Sequence, residues 1–258
     1  TGGPGTGKTT TIKALLRLFQ QLQQKVLLAA PTGRAARRVA ETTGEEASTI
    51  HRLLEYSYQE GEGFRFQRHE QRPIDADVLI IDEASMVDLL LMSSLLEAVP
   101  RGCRLILVGD VDQLPSVGAG SVLRDIIDSG RIPSVRLESI FRQAGQSMIV
   151  VNAHRVNQGK LPLANTRSTD FYIMNEEDPE KVAGLVVELC QERLPNYGPF
   201  DPLDDIQVIT PMRRTAAGVE RLNILLQQAL NPAHRRKPEI SCQGGNFRLG
   251  DKVMQVKN

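Results

Sequence analysis

Thr1-Gly-Gly-Pro-Gly-Thr-Gly-Lys-Thr-Thr10 decides the fold. Gly2, Gly7, Lys8 and Thr9 satisfy the phosphate-loop pattern Gly-x4-Gly-Lys-Thr. In such a loop the backbone of Gly3, Pro4, Gly5, Thr6 and Gly7 bends so that its N–H groups converge on a β-phosphate, with Lys8, Thr9 and Thr10 completing the cradle. Lys8 brings a fixed positive charge to the β- and γ-phosphates, and the Thr9 hydroxyl can ligate Mg²⁺. The following helix aims its N-terminus at the same anion. Its apolar residues Ile12, Leu15, Leu16, Phe19 and Leu22 recur at helical spacing, which predicts one buried face. The bland alternative is a glycine-rich turn that only caps this helix. A phosphate loop is normally fed by a β-strand, and here the chain starts inside the loop, so a fragment is expected.

Three apolar runs predict buried parallel strands that end in polar residues. Val26-Leu-Leu-Ala-Ala30 runs into Pro31-Thr-Gly-Arg-Ala-Ala-Arg-Arg38, a tight loop and a basic helix start. Thr32 and Arg34 there can hold a phosphate, or Thr32 can be a helix cap with the arginines on a solvated face. Val78-Leu-Ile-Ile81 ends in Asp82-Glu83, the pair that in a phosphate-loop protein divides into a metal-holding acid and a base for the attacking water. Arg104-Leu-Ile-Leu-Val108 ends in Gly109-Asp110 and leads to Gln113, a candidate γ-phosphate sensor. Parallel strands share one carboxyl edge, which predicts that these residues converge. Arg142 could clamp the γ-phosphate bidentately, although its position alone fits a surface residue.

Ser48 or Thr49 is a natural cap for the helix carrying His51, and a lone His is usually structural. Tyr56, Tyr58, Phe64 and Phe66 alternate with polar residues about Gly61-Glu-Gly63, which predicts a β-hairpin or else a surface loop. Helical spacing predicts a helix at Val122, Leu123, Ile126 and Ile127. Beyond residue 143 a second α/β unit is expected. Asp178-Pro179 reads as cap and first helical residue before the apolar face of Val182, Leu185, Val186 and Leu189. A turn-rich connector at 195–202 precedes a predicted strand at 205–209. Thr210-Pro-Met-Arg213-Arg-Thr-Ala-Ala217 then reads as a second copy of the device at 30–38, with strand, Thr/Pro bend, arginines and alanine-led helix. Residues 247–256 alternate like a strand.

The charge balance is even, with 31 Lys+Arg against 31 Asp+Glu, so a polyanionic partner would need local patches. Cys103, Cys190 and Cys242 are too few and too scattered for a disulfide framework or a Cys-x2-Cys zinc site, which fits a reducing cytosol. No apolar run approaches membrane length, and a cytoplasmic location without a membrane partner is expected.

The set Gly-Gly-Pro-Gly-Thr-Gly-Lys-Thr, Ala-Pro-Thr-Gly-Arg-Ala-Ala, Ser-Thr-Ile-His-Arg-Leu, Asp-Glu-Ala-Ser-Met, Gly-Asp-Val-Asp-Gln-Leu-Pro-Ser-Val-Gly-Ala-Gly and Phe-Arg-Gln closely resembles the RecD-like superfamily 1 DNA helicases. Asn152-Ala-His-Arg155, Thr210-Pro-Met-Arg213 and Gly250-Asp-Lys-Val-Met254 resemble later signatures of that family. The resemblance implies a P-loop α/β fold of tandem RecA-like lobes, a first at 1–143 with a hairpin insertion at about 55–73 and a truncated second at 144–258. It implies an ATP- and Mg²⁺-dependent 5′→3′ motor on single-stranded DNA and single-strand/duplex junctions, in repair or recombination. By similarity, Thr32, Arg34, Thr49, His51, Thr210, Pro211 and Arg213 would contact DNA, Gln113 and Arg142 would read the γ-phosphate, and the aromatic hairpin would meet the fork. RecBCD-type subunits are implied partners, and work alone is equally compatible. Family elements expected at both ends are missing, so the isolated chain is expected to show little DNA-stimulated turnover. Two other functions fit the same residues: a nucleotide-gated binding module without productive turnover, and an RNA-directed helicase of the same superfamily.

Overall fold

A computed structural model describes residues 1–59, 61, 63–139, 147–163, 170–242 and 245–253, which divide into two compact units, Thr1–Tyr172 and Ile173–Asn258. The phosphate loop opens into helix α1 (Lys8–Gln21), which buries Ile12, Leu16 and Phe19. Leu22 caps α1 just past its last residue and is exposed, so the buried face predicted to reach it ends at Phe19. Strand β1 (Val26–Ala30) is followed by α2 (Gly33–Thr43), then β2 (Ala47–Thr49), α3 (Ile50–Leu53), the short strands β3 (Ser57–Gln59) and β4 (Gly63–Arg65), and β5 (Val78–Ile81). A 3-10 turn (Ala84–Met86), α4 (Leu89–Ala98), β6 (Arg104–Leu107), α5 (Val122–Asp128) and α6 (Met148–Asn157) complete the unit.

Four of these strands form a parallel sheet in the order β2-β1-β5-β6. Alternation along β5 explains why it is apolar at every position. Val78 and Ile80 join Ile12, Leu16 and Phe19 of α1 and Val39 of α2 on one face. Leu79 and Ile81 join Ile50, Leu91, Leu95 and Leu123, from α3, α4 and α5, on the other. Beyond β6, the Gly2 amide donates to the Gly109 carbonyl (3.2 Å) and the Leu137 amide to the Thr1 carbonyl (2.8 Å). The phosphate loop therefore leaves the sheet edge between Gly109 and Leu137. Strand β2 has no apolar run of its own; it forms because α2 returns the chain alongside β1.

The predicted aromatic hairpin is formed. β3 and β4 are antiparallel, with Tyr58 opposite Phe64. Tyr58 and Phe64 are exposed and pack edge to face at 5.4 Å, while Tyr56 lies 4.8 Å from Phe66.

In the second unit, Asp178 caps α7 (Pro179–Glu188), as the sequence predicts. A π-helical turn (Leu189–Arg193) continues into α8 (Leu194–Tyr197), so the predicted connector is helical to Tyr197 and turns only from Gly198. Residues 205–209 form no strand, correcting that expectation. The alanine-led helix predicted at 216–217 starts later, as α9 (Val219–Leu230). Strands β7 (Glu239–Cys242) and β8 (Gly245–Arg248) pair antiparallel. The strand predicted over 247–256 therefore stops at Arg248, with 254–258 outside the described residues. Asn231 and Asp251 tie α9 to the end of this hairpin: the Asn231 amide donates to the Asp251 carboxylate (2.7 Å) and the Leu249 carbonyl (3.2 Å).

Candidate nucleotide and nucleic-acid site

Gly5 (φ 72°) and Gly7 (φ 91°) lie in the left-handed region that glycine reaches without penalty, and they turn the loop around α1. Gly7 caps α1 without a side chain, so the first-turn N–H groups stay available to an anion. Lys8 Nζ folds back on the carbonyls of Gly2 (2.7 Å) and Gly3 (3.1 Å), and the buried Thr6 hydroxyl donates to the Gly3 carbonyl (2.8 Å). Thr9 and Thr10 are exposed at the helix mouth.

Asp82 and Glu83 follow β5 directly. Burial raises both carboxyls above their ordinary range, with Asp82 adding to the rise at Glu83, while the positive charges of Lys8 and Arg38 oppose it at both. Lys8 and the acid pair therefore share one electrostatic neighbourhood. Glu83 adopts left-handed backbone (φ 52°, ψ 39°), uncommon for a non-glycine residue, and its Oε2 is buried without a partner among the described residues. Both features cost the fold free energy. The turn is fixed by the Ala84 amide, which donates to the Val108 carbonyl (2.9 Å). A Cβ on Gly109 would stand 3.0 Å from the Ser85 nitrogen, so only glycine lets the next strand end come this close.

Gln113 is held by Asp110, which is buried and gained no role from the sequence. The Gln113 side-chain amide donates to Asp110 Oδ2 (3.2 Å) and the Asp112 amide to Oδ1 (3.1 Å). The charge of Asp110 also adds slightly to the raised Glu83 carboxyl. Arg142 lies outside the described residues.

Thr32 and Thr49 stand at adjoining strand ends, because Ala30 pairs with Thr49. Thr32 caps α2 by accepting from the Ala35 amide (3.2 Å), and Thr49 caps α3 by accepting from the Arg52 amide (3.1 Å). Arg34 is exposed on the first turn of α2. His51 packs edge-on against Tyr56 at 5.6 Å and against Phe66 at 5.7 Å, which joins it to the base of the hairpin. In the second unit, Thr210 donates to the Ala217 carbonyl (2.9 Å) and Arg213 pairs with Glu220 (3.1 Å), with Pro211 between them in the chain. The carboxyl edge of the first unit thus carries Thr49, Thr32, the acid pair, Asp110–Gln113 and the phosphate loop in that order. An open cavity of about 550 Å³, lined by residues 73–77 and 100–103, lies at the opposite, amino edge of β5 and β6.

The donor set fits a magnesium nucleotide: left-handed glycines, an uncapped helix start and a lysine for phosphate, a threonine hydroxyl and a strand-end aspartate for the metal. Sequence reasoning missed Arg38, Asp110 and His154. Asp110 carried a signal as an acid ending an apolar run, and His154 as part of the Asn152-Ala-His-Arg155 signature, but neither signal named a role.

A family model described as an AAA domain matches residues 1–119. The ATP-dependent RecD2 DNA helicase of Deinococcus radiodurans is 42% identical over 258 residues, 100% of this chain and 33% of that protein. The chain belongs to the RecD-like helicase family. The RecBCD enzyme subunit RecD of Mycobacterium tuberculosis is 39% identical to this RecD-like chain over 208 residues, 69% of the chain and 36% of that subunit. The chain spans about a third of the length of these two relatives. A Bacteroides Pif1 structure bound to single-stranded DNA aligns with 96% of the chain and 58% of its own, at 19% identity and a TM-score of 0.46, too loose a likeness to add to the sequence match. Among the described residues no helix is long and apolar enough to cross a membrane.

Proposed function

We propose that this RecD-like chain carries the ATP-hydrolysing core of a DNA helicase that moves 5′→3′ on single-stranded DNA, in repair or recombination. The observation that supports it is the gathering of Lys8, Asp82, Glu83 and the Asp110–Gln113 pair at one sheet edge. The named activity of the Deinococcus relative supports the substrate class.

In this proposal Lys8 leaves the Gly2 and Gly3 carbonyls for the β- and γ-phosphate oxygens. Thr9 and Asp82 would hold Mg²⁺, whose chemistry there would be neutralisation of phosphate charge. Glu83 orients the attacking water and takes its proton; a carboxyl raised by burial is better matched to that task at neutral pH. Gln113 exchanges Asp110 for the γ-phosphate, and Arg142 adds a second cation. Thr32, Arg34, Thr49 and His51 grip the DNA backbone from the first unit, and Thr210, Pro211 and Arg213 from the second, which begins a second RecA-like lobe. The aromatic hairpin meets the duplex at the fork. Backbone grips carry no sequence information, so binding is sequence-independent and weakens steeply with salt. RecBCD-type subunits are candidate partners of the whole protein.

The test is a tailed-duplex unwinding assay on the whole protein beside ATPase assays with single-stranded DNA and RNA. Lys8→Ala should lower turnover by roughly 10²–10³-fold, and Glu83→Gln by roughly 10²–10⁴-fold, with single-strand binding largely kept. Normal unwinding by Glu83→Gln would remove Glu83 as the base. Stronger stimulation by RNA than by DNA would replace DNA as the substrate.

A further inference from the structure

Helix α6 is tied to the chain that follows it. Ser147 caps its start and donates to Asp170 Oδ2 (2.5 Å), and the Met148 amide donates to Asp170 Oδ1 (2.7 Å). Asn152, 2% exposed, donates to the Leu163 carbonyl (2.9 Å) and accepts from the Leu163 amide (2.7 Å). Arg155 Nε donates to the Leu161 carbonyl (3.0 Å). On the same turn, His154 makes a different contact. Its Nε2 lies 3.3 Å from the Pro4 carbonyl oxygen, inside the phosphate loop.

The ring also fills the space above Gly3. A Cβ on Gly3 would stand 2.7 Å from His154 Cε1 and 3.3 Å from Nε2. Gly3 is not among the positive-φ glycines, so its backbone conformation does not demand glycine. The imidazole does. The loop is consequently held from two directions, by Lys8 on the carbonyls of Gly2 and Gly3 and by His154 on that of Pro4. When a phosphate draws Lys8 away, His154 stays on the Pro4 carbonyl, beside the Thr6 hydroxyl on the Gly3 carbonyl and the Gly2 amide on Gly109.

We propose that His154 is a positioning residue for the phosphate loop: it seats the Gly3–Pro4 peptide so that the loop N–H groups stay aimed at the phosphates. The inference rests on nucleotide binding at this loop. Misaiming such groups by about 1 Å costs roughly 10²-fold in rate when the groups act on reacting atoms, and a smaller loss is expected for ground-state binding.

Titration of a fluorescent ATP analogue with Mg²⁺, with ATPase kinetics and melting curves, tests it. His154→Ala should raise the Kd and KM for ATP by roughly tenfold with kcat changed far less, the pattern of lost uniform binding. His154→Gln, which keeps a donor of similar reach, should recover most of the loss. Gly3→Ala should weaken binding strongly in the presence of His154 and much less in Gly3→Ala/His154→Ala. Equal penalties for Gly3→Ala in both backgrounds would overturn the proposal, as would unchanged ATP affinity in His154→Ala. Where His154→Ala does not fold, Gly3→Ala in the His154→Gln background carries the steric contrast. An unmodified chain that binds no analogue would overturn the nucleotide proposal first, and this one with it.

Discussion

Ala30-Pro-Thr-Gly-Arg-Ala-Ala-Arg-Arg38 and Thr210-Pro-Met-Arg-Arg-Thr-Ala-Ala217 share residue types but not structure. In the first, Ala30 ends a strand paired on both sides, so the chain leaves the sheet in a fixed direction. Thr32 caps α2 at once, and Ala36 and Val39 pack beneath it. In the second, no ladder precedes Thr210, and its hydroxyl closes a loop onto the Ala217 carbonyl. The Val219 and Glu220 amides return to the Met212 and Arg213 carbonyls (both 3.1 Å), and only then does α9 begin. The arginines differ likewise. The charge of Arg38 opposes the raised carboxyls of the half-buried acid pair, whereas Arg213 and Arg214 face Glu220. A Thr/Pro/Arg segment becomes a strand–cap–helix device only when a buried strand delivers it.

The largest expected effect is at Gly218, where a Cβ would stand 2.7 Å from the Arg213 carbonyl oxygen and the Thr215 nitrogen. Gly218→Ala should destabilise the second unit by about 1–3 kcal/mol through overpacking against backbone. A denaturant midpoint unchanged from wild type would mean the closed loop is not the solution structure. Next comes Thr32→Ala, which removes a helix cap and should cost about 1 kcal/mol. Thr210→Ala should leave the start of α9 intact, and hydrogen exchange on the two helix starts separates the cases; fraying of α9 would make the segments alike after all. Gly33→Ala has open space and an α-helical setting, so it should stabilise by roughly 0.4–1 kcal/mol, readable in thermal melts.

A pH titration sharpens the contrast between the arginines. An acid whose pKa is raised on folding favours the fold below its unfolded pKa, and that contribution is lost as pH rises through the folded value. Burial raises both Asp82 and Glu83, and Arg38 restrains the rise. Arg38→Ala should therefore move the upper end of this window to higher pH, and Mg²⁺-dependent nucleotide binding should fail at a higher pH on acidification. Arg213→Ala should shift neither. Identical profiles for Arg38→Ala and wild type would detach Arg38 from the acid pair.

Much of the first unit was legible because its signals are local. Val26–Ala30 and Val78–Ile81 are apolar throughout, and such runs become strands buried on both faces. Strand β2 was not legible, since Ala47-Ser-Thr49 has no apolar pattern and exists by pairing with β1. The strand expected at 205–209 failed for the converse reason: an apolar pattern without a neighbouring ladder leaves backbone groups unpaired. Asp178 was readable as a cap because Pro179 fixes the first helical residue.

The sequence by itself determined the phosphate loop, the strand-end acids and family membership, because each is written in residues that are neighbours along the chain. Tertiary structure alone decided that Asp110 is buried holding Gln113, that the charge of Arg38 opposes the raised acid pair, and that an imidazole 151 positions away fills the space above Gly3. Those facts depend on which distant side chains close packing brings within a few ångströms, and no local pattern encodes that.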